Sequence, residues 1–164
     1  MATNTNDVQI VVSPPQFSDW TALLELLHSA YAYMESRIDP PSSLLRMDAE
    51  QFQEKAQHEV LILALKDQHL VGCAFASPRV DCVYVGKLAV AAPARGNGIA
   101  RSIMLAAEAV AREHAKPFLE LETRVELFEN HKTFAALGFS KVAETAHQGF
   151  NRPMSITMRR AVLL

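Results

Sequence analysis

The sequence predicts an α/β (α+β) domain, a mixed central sheet of about seven strands flanked by about four helices. Three observations predict it. Short runs rich in β-branched and aromatic residues alternate with runs of helical period, with Pro, Gly, Asp and Asn between them. The run Val80 to Val90 passes through Pro93, Gly96 and Gly98 into a stretch where Ile99, Ile103, Ala106, Ala107 and Val110 recur at helical spacing. The chain then returns to extended patterns at Phe118, Phe139 and Met154.

Each element has its own signal. Val8 to Val12 is a short apolar strand, ended by Ser13-Pro14-Pro15. Ser18 or Asp19 caps a helix with Leu23, Leu24, Leu27, Ala30 and Tyr31 on one face, running to about Arg37. Asp39-Pro40-Pro41-Ser42-Ser43 is a rigid turn, and a second helix covers roughly Asp48 to Gln57. Val60 to Leu65, the turn Asp67-Gln68 and Leu70 to Ala76 form an antiparallel pair. Ser77-Pro78-Arg79 leads into the central strand, where Gly86 marks a bulge or a close backbone approach. The main helix spans Gly98 to about His114, and Pro117 separates it from the strand Phe118 to Thr123. Asn130 is the N-cap candidate of a short helix that Gly138 ends. Phe139 to Thr145 and Met154 to Arg159 close the sheet, joined by the polar loop 147–153.

The 164 residues suit a single domain, 1–164, with a substantial core. A net charge of −2 gives no reason to propose nucleic acid or an anionic membrane as partner. Cys73 and Cys82 read as small buried thiols, and the six histidines share no metal-ligand spacing, so no metal is expected. No apolar run approaches a membrane span, and Met1 to Asp7 lacks the regions of a signal peptide, so a cytoplasmic location is the default.

The turn after the central strand carries the chemistry. Glycines opening a helix present unpaired backbone N–H groups at the positive end of the helix dipole, a seat for a phosphate. A P-loop is excluded, because no Lys-Ser or Lys-Thr follows. A dinucleotide fingerprint fits Gly96 and Gly98, with Glu120 at a suitable distance for a ribose contact, but its third glycine falls on Arg101. Arg95-Gly96-Asn97-Gly98-Ile99-Ala100 resembles the Q/R-x-x-G-x-G/A signature of the GNAT superfamily of N-acetyltransferases. Leu88-Ala89-Val90 before it and Leu137-Gly138-Phe139 after it strengthen the resemblance, and the order of elements extends it over almost the whole chain.

The resemblance implies a fold in which the strands Val80–Val90 and Phe118–Thr123 run parallel and splay apart. It implies acetyl-CoA as cosubstrate, with pyrophosphate on Arg95, Gly96, Asn97, Gly98, Ile99 and Ala100 and the pantetheine arm along the backbone of Leu88, Ala89 and Val90. A backbone N–H of that strand would be the oxyanion donor. Many members place a tyrosine four residues before the Gly-Phe pair to protonate the leaving thiolate. Here that position is Phe134, kept as a cosubstrate contact with no proton to give. Asn130, one turn earlier, shares its face and is a further contact or a simple cap.

A base is needed, because a free alkyl amine has a pKa near ~10. Alternation puts Glu120 and Glu122 opposite Leu119 and Leu121, and Glu122 is the better placed base if that face lines the cleft; an ion-paired strand face is the plainer alternative. Tyr84 is the other candidate, sharing a face with Leu88 and Val90 if no bulge intervenes. By resemblance, the acceptor site is walled by the end of the first helix, with Tyr31, Tyr33, Glu35, Arg37 and Asp39, and Phe150, Asn151 and Arg152 can close it. The acceptor is a small-molecule or peptide amine, and no pattern selects an aminoglycoside, polyamine, amino acid or protein N-terminus. Two rival readings stand beside this one: a CoA-binding or regulatory module without turnover, which Phe134 supports, and a nicotinamide-dependent oxidoreductase. Homodimers are common in the family, though no segment here marks an interface.

Overall fold

A computed structural model describes residues 7–164. The reading of the N-terminus rests mostly on residues 1–6, outside the described residues. The elements follow in the order β1 (Val8–Val12), α1 (Trp20–Tyr31), α2 (Ala49–His58), β2 (Val60–Lys66), β3 (His69–Pro78), β4 (Cys82–Val90), α3 (Ile99–Glu113), β5 (Phe118–Arg124), α4 (Phe128–Ala136), β6 (Ser140–Thr145) and β7 (Ser155–Ala161). The seven strands form one sheet in the order β1-β2-β3-β4-β5-β7-β6. Every pairing is antiparallel except β4 with β5. The expected mixed sheet with four helices is therefore what the chain forms.

Local chemistry sets the ends of the elements. The Asp19 carboxylate accepts from the Ala22 N–H and starts α1. Asp48 and Gln51 form a reciprocal capping box on α2. Asp67 and Gln68, at φ 50° and 66°, make the tight β2–β3 turn. Gly138, at φ 93°, ends α4: its N–H bonds the Ala135 carbonyl while the Phe139 N–H bonds that of Phe134. This closure places the Phe134 and Phe139 rings edge to face, 6.3 Å apart.

Three differences from the sequence expectation bear on the site. Helix α1 stops at Tyr31 and tightens into a 3₁₀ turn over Ala32–Met34 rather than running to Arg37. The central strand starts at Cys82, not Val80, because the Arg79 N–H is turned onto the Cys82 carbonyl. Asn130 does not cap α4: the N-cap is Leu127, and Asn130 lies inside the first turn. Its amide is engaged with a tyrosine from another element, described below, which outweighs a local cap.

Two cores sandwich the sheet. On one face Ile99, Ile103, Met104, Ala107 and Val110 of α3 pack against Ile62, Ala74, Val83, Val85, Leu119 and Leu121. On the other, Leu23, Leu26 and Leu27 of α1 and Phe52 of α2 pack against Leu61, Leu63, Cys73 and Phe75. The central strands are thus apolar on both sides, which explains their near-continuous hydrophobic runs. Both cysteines are free and buried. Among the described residues no helix is long and apolar enough to cross a membrane.

Candidate active site

The site begins where β4 and β5 part. They pair only through Cys82–Phe118, Val83–Leu119 and Tyr84–Glu120. Beyond Tyr84 the two strands diverge, and the β4 edge facing the gap has no ladder partner among the described residues. On its other edge β4 stays paired to β3, but Cys73 faces Ala89 while Phe75 faces Gly86. Two steps on β3 are matched by three on β4, which is a bulge. Lys87 carries the strain, at φ 52°. Gly86 had flagged the place, and the distorted residue is its neighbour.

The bulge reverses the side-chain alternation. Val83 and Val85 face the α3 core, and so do Leu88 and Val90. Tyr84 therefore does not share a face with Leu88 and Val90, which corrects the regular-strand reading. It lies with Ala89 on the side covered by α1 and α2. The Arg79 guanidinium sits 4.0 Å from its ring centroid. Burial first, and then the Glu122 charge, push the Tyr84 phenol up to about 12. Its phenol keeps its proton at neutral pH.

The same bulge is braced from α1. The Tyr31 hydroxyl donates to the Leu88 carbonyl at 2.7 Å. Ala91 donates to the Val71 carbonyl, toward β3, so alternation turns the backbone of Val90 into the gap. The chain then makes a 3₁₀ turn over Ala92–Ala94 and reaches the glycines. Gly96 and Gly98 hold φ 81° and 74°, and a Cβ on either would meet none of the described residues within 4 Å. The space over the turn is open. Gly98 is the N-cap of α3 and supplies no side-chain cap, so the first N–H groups of that helix are left for another acceptor. Arg95 and Arg101 flank them. Asn97 points elsewhere, its amide closing the turn onto the Ala94 carbonyl at 3.0 Å. An open glycine cradle with free N–H groups and two arginines fits a pyrophosphate.

Turn and gap belong to one cleft of about 1480 Å³. That exceeds the ~300–1,000 Å³ of ordinary small-ligand pockets and leaves room for a long ligand plus a second reactant. Arg95, Gly96, Gly98, Ile99, Ala100, Leu88, Ala89, Val90, Asn130 and Phe134 all line it, as do Tyr31, Tyr33, Tyr84 and Glu122. Glu35, Arg37 and Asp39 are not in the lining. Arg37 is paired with Glu129 and also donates to the Glu126 carbonyl. Asp39 is bound by Arg152 at 3.0 Å. Arg37 and Asp39 fasten the α1–α2 connection to α4 and to the β6–β7 loop. Tyr33 and Asn130 meet directly: the Asn130 amide donates to the Tyr33 hydroxyl at 3.1 Å, and that hydroxyl lies 3.3 Å from Asn130 Oδ1.

The carboxylates of β5 separate by environment. Glu120 is held by Arg159 at 2.9 Å and Arg79 at 3.5 Å. Glu122 is exposed, lines the cleft and enters no ion pair among the described residues. Two steps on, Arg124 falls on the same strand face and is 7 % exposed. Sequence reasoning missed it, as it missed His147, whose Nε2 lies 3.3 Å from Ser155 Oγ in the same cleft. The alternation that singled out Glu122 also reaches Arg124, so the signal was present.

The profile of the acetyltransferase (GNAT) family matches residues 20–139. The chain belongs to the GNAT family. Solved GNAT-fold structures superpose on nearly its full length. The PaiA N-acetyltransferase of Thermoplasma acidophilum, in complex with coenzyme A, aligns with a TM-score of 0.76 at 13% identity, covering 94% of this chain and 99% of its own. A GNAT-family acetyltransferase of Staphylococcus aureus gives 0.73 at 14%, covering 96% and 100%. The ribosomal-protein-S18-alanine N-acetyltransferase of Escherichia coli gives 0.66 at 14%, covering 95% and 96%. At these identities the likeness is one of fold. No curated protein matches the sequence.

Proposed function

We propose that this chain, acting as one domain over 1–164, transfers the acetyl group of acetyl-CoA to an amine by direct attack in a ternary complex. The observation that carries the reading is the joining of two features in one cleft: the open glycine cradle at the start of α3 and the unpaired β4 edge beside it. The N–H groups of Gly96 to Ala100 bind pyrophosphate, and the Leu88–Val90 edge orients the pantetheine arm. Phe134 packs along that arm.

The amine nitrogen attacks the thioester carbon, and its proton passes to Glu122, directly or through a water. A backbone N–H at Leu88 to Val90 stabilises the oxyanion. The C–S bond then breaks, and the thiolate takes a proton. Phe134 cannot give it. The Tyr33 hydroxyl, held by Asn130 one helical turn from Phe134, is the group we assign to that step. Holding the two reactants together supplies ~7 kcal/mol or more in favourable systems, and acid–base groups add ~10²–10⁴-fold.

The test is calorimetric titration with acetyl-CoA, followed by thiol release against a panel of primary amines. Binding with release supports the transferase. Binding without release from any amine favours a CoA-binding module. No binding overturns the assignment of Arg95 to Ala100.

A further inference from the structure

We propose that the amine acceptor also carries an oxyanion, a carboxylate or a phosphate, and that Arg124 is the side chain that receives it. The proposal rests on the acetyl-transfer reading above and names the class of its acceptor.

Arg124 ends β5 and lines the cleft. Both its terminal nitrogens are buried and have no hydrogen-bond partner among the described residues. The other arginines near this end are committed: Arg37 to Glu129 and Arg152 to Asp39. A guanidinium stays charged at any ordinary pH, and burying its donors without acceptors is costly. Glu126 and Asp39 offset the charge through space, yet neither bonds to Arg124. Glu126 spends one oxygen on the Asp39 N–H at 3.1 Å, and its other oxygen has no partner among the described residues. The fork is therefore built into the site and left unfilled.

Its position gives the class. Glu122 and Arg124 sit on one face of β5, roughly 7 Å apart along the strand. A carboxylate beside a guanidinium matches a zwitterion: the ammonium end near Glu122, where it loses its proton, and the oxyanion on Arg124. A guanidinium binds carboxylate or phosphate through two parallel N–H bonds. A purely cationic polyamine would bring positive charge to a buried positive group.

The experiment has two arms. The first needs no turnover: thermal unfolding of the full chain and of Arg124→Met without ligand. A Tm within about 3 °C of the unmutated chain is expected, because loss of the unfilled donors offsets loss of the favourable field on Glu126. A larger fall means the fold itself depends on the guanidinium, and overturns the proposal. The second arm measures thiol release at saturating acetyl-CoA for matched amines: L-amino acids against their carboxamides, and O-phosphoethanolamine against ethanolamine. An anionic member should exceed its uncharged partner in kcat/KM by about tenfold or more, and the two kinds of pair tell carboxylate from phosphate. Arg124→Gln should collapse that ratio mainly through KM, and Arg124→Lys should restore part of it. Equal rates within every pair, or a preference that survives Arg124→Gln, overturns the proposal and leaves acetyl transfer standing. No release from any anionic amine, while uncharged amines are acetylated, does the same. Loss of acetyl-CoA binding by the unmutated chain overturns the transferase reading as well.

Discussion

The Tyr31 hydroxyl donates a 2.7 Å hydrogen bond to the carbonyl of Leu88, tying the end of α1 to the bulge that shapes the cleft. Burial drives the Tyr31 phenol well above its ordinary range, which keeps the donor proton in place. Tyr31→Phe removes the donor and leaves the Leu88 carbonyl unpaired. We expect a loss of about 1–3 kcal/mol, read as a Tm fall of several degrees, together with weaker acetyl-CoA binding. An unchanged Tm and Kd would show that the bulge holds its shape without this brace.

Gly98 sits at φ 74° with open space where a Cβ would project. Gly98→Val places a β-branched residue in a left-handed conformation, at a strain of about 1–3 kcal/mol, and fills the cradle. Acetyl-CoA affinity should drop by about tenfold or more in calorimetry. Unchanged affinity would move the pyrophosphate off this turn.

Glu122→Gln should lower kcat by ~10²-fold near neutral pH. The deficit should shrink as pH approaches the amine's own pKa, near ~10, where the acceptor needs no base. Tyr33→Phe should act at the other end of the reaction, lowering kcat by about tenfold with acetyl-CoA affinity unchanged. An unmoved pH–rate profile for Glu122→Gln, or an unmoved kcat for Tyr33→Phe, removes that residue from the mechanism.

The Arg37 guanidinium, by direct hydrogen bonding, holds the Glu129 carboxyl down from 4.5 to about 2. A carboxyl depressed in the folded state stabilises the fold above its unfolded pKa and loses that contribution as pH falls through the folded one. The stability gap between the unmutated chain and Glu129→Gln should therefore be constant above about pH 4.5 and close between there and about pH 2. Both side chains are exposed, so added salt should narrow the gap. A gap that widens on acidification would contradict the pairing.

The order of elements was readable because each is announced by its period and its punctuation, from the Asp19 cap to Gly138 past the end of α4. The glycine turn was readable for the same reason: only certain residues tolerate that backbone. What stayed hidden depends on pairs far apart in sequence. Nothing local says that Asn130 will leave a capping role for Tyr33, or that Arg37 and Asp39 will be drawn from the pocket by Glu129 and Arg152. The bulge was hidden for a different reason. Its positive φ falls on Lys87, a residue with no preference for it, and the register with β3 imposes it. Once the alternation reverses there, Tyr84 changes sides.

Because β4 and β5 share only three residue pairs, the sheet is mechanically two plates joined along a short seam. One plate is β1 to β4, the other β5, β7 and β6. A molecule touching both edges of the opening acts as a strut between them. Its binding free energy then adds to the cohesion of the plates, about 2.7 kcal/mol at a hundredfold excess over Kd. Amide exchange along the far half of β5 should slow on binding, while β1 and β2 keep their rates, so the seam itself becomes the reporter of occupancy.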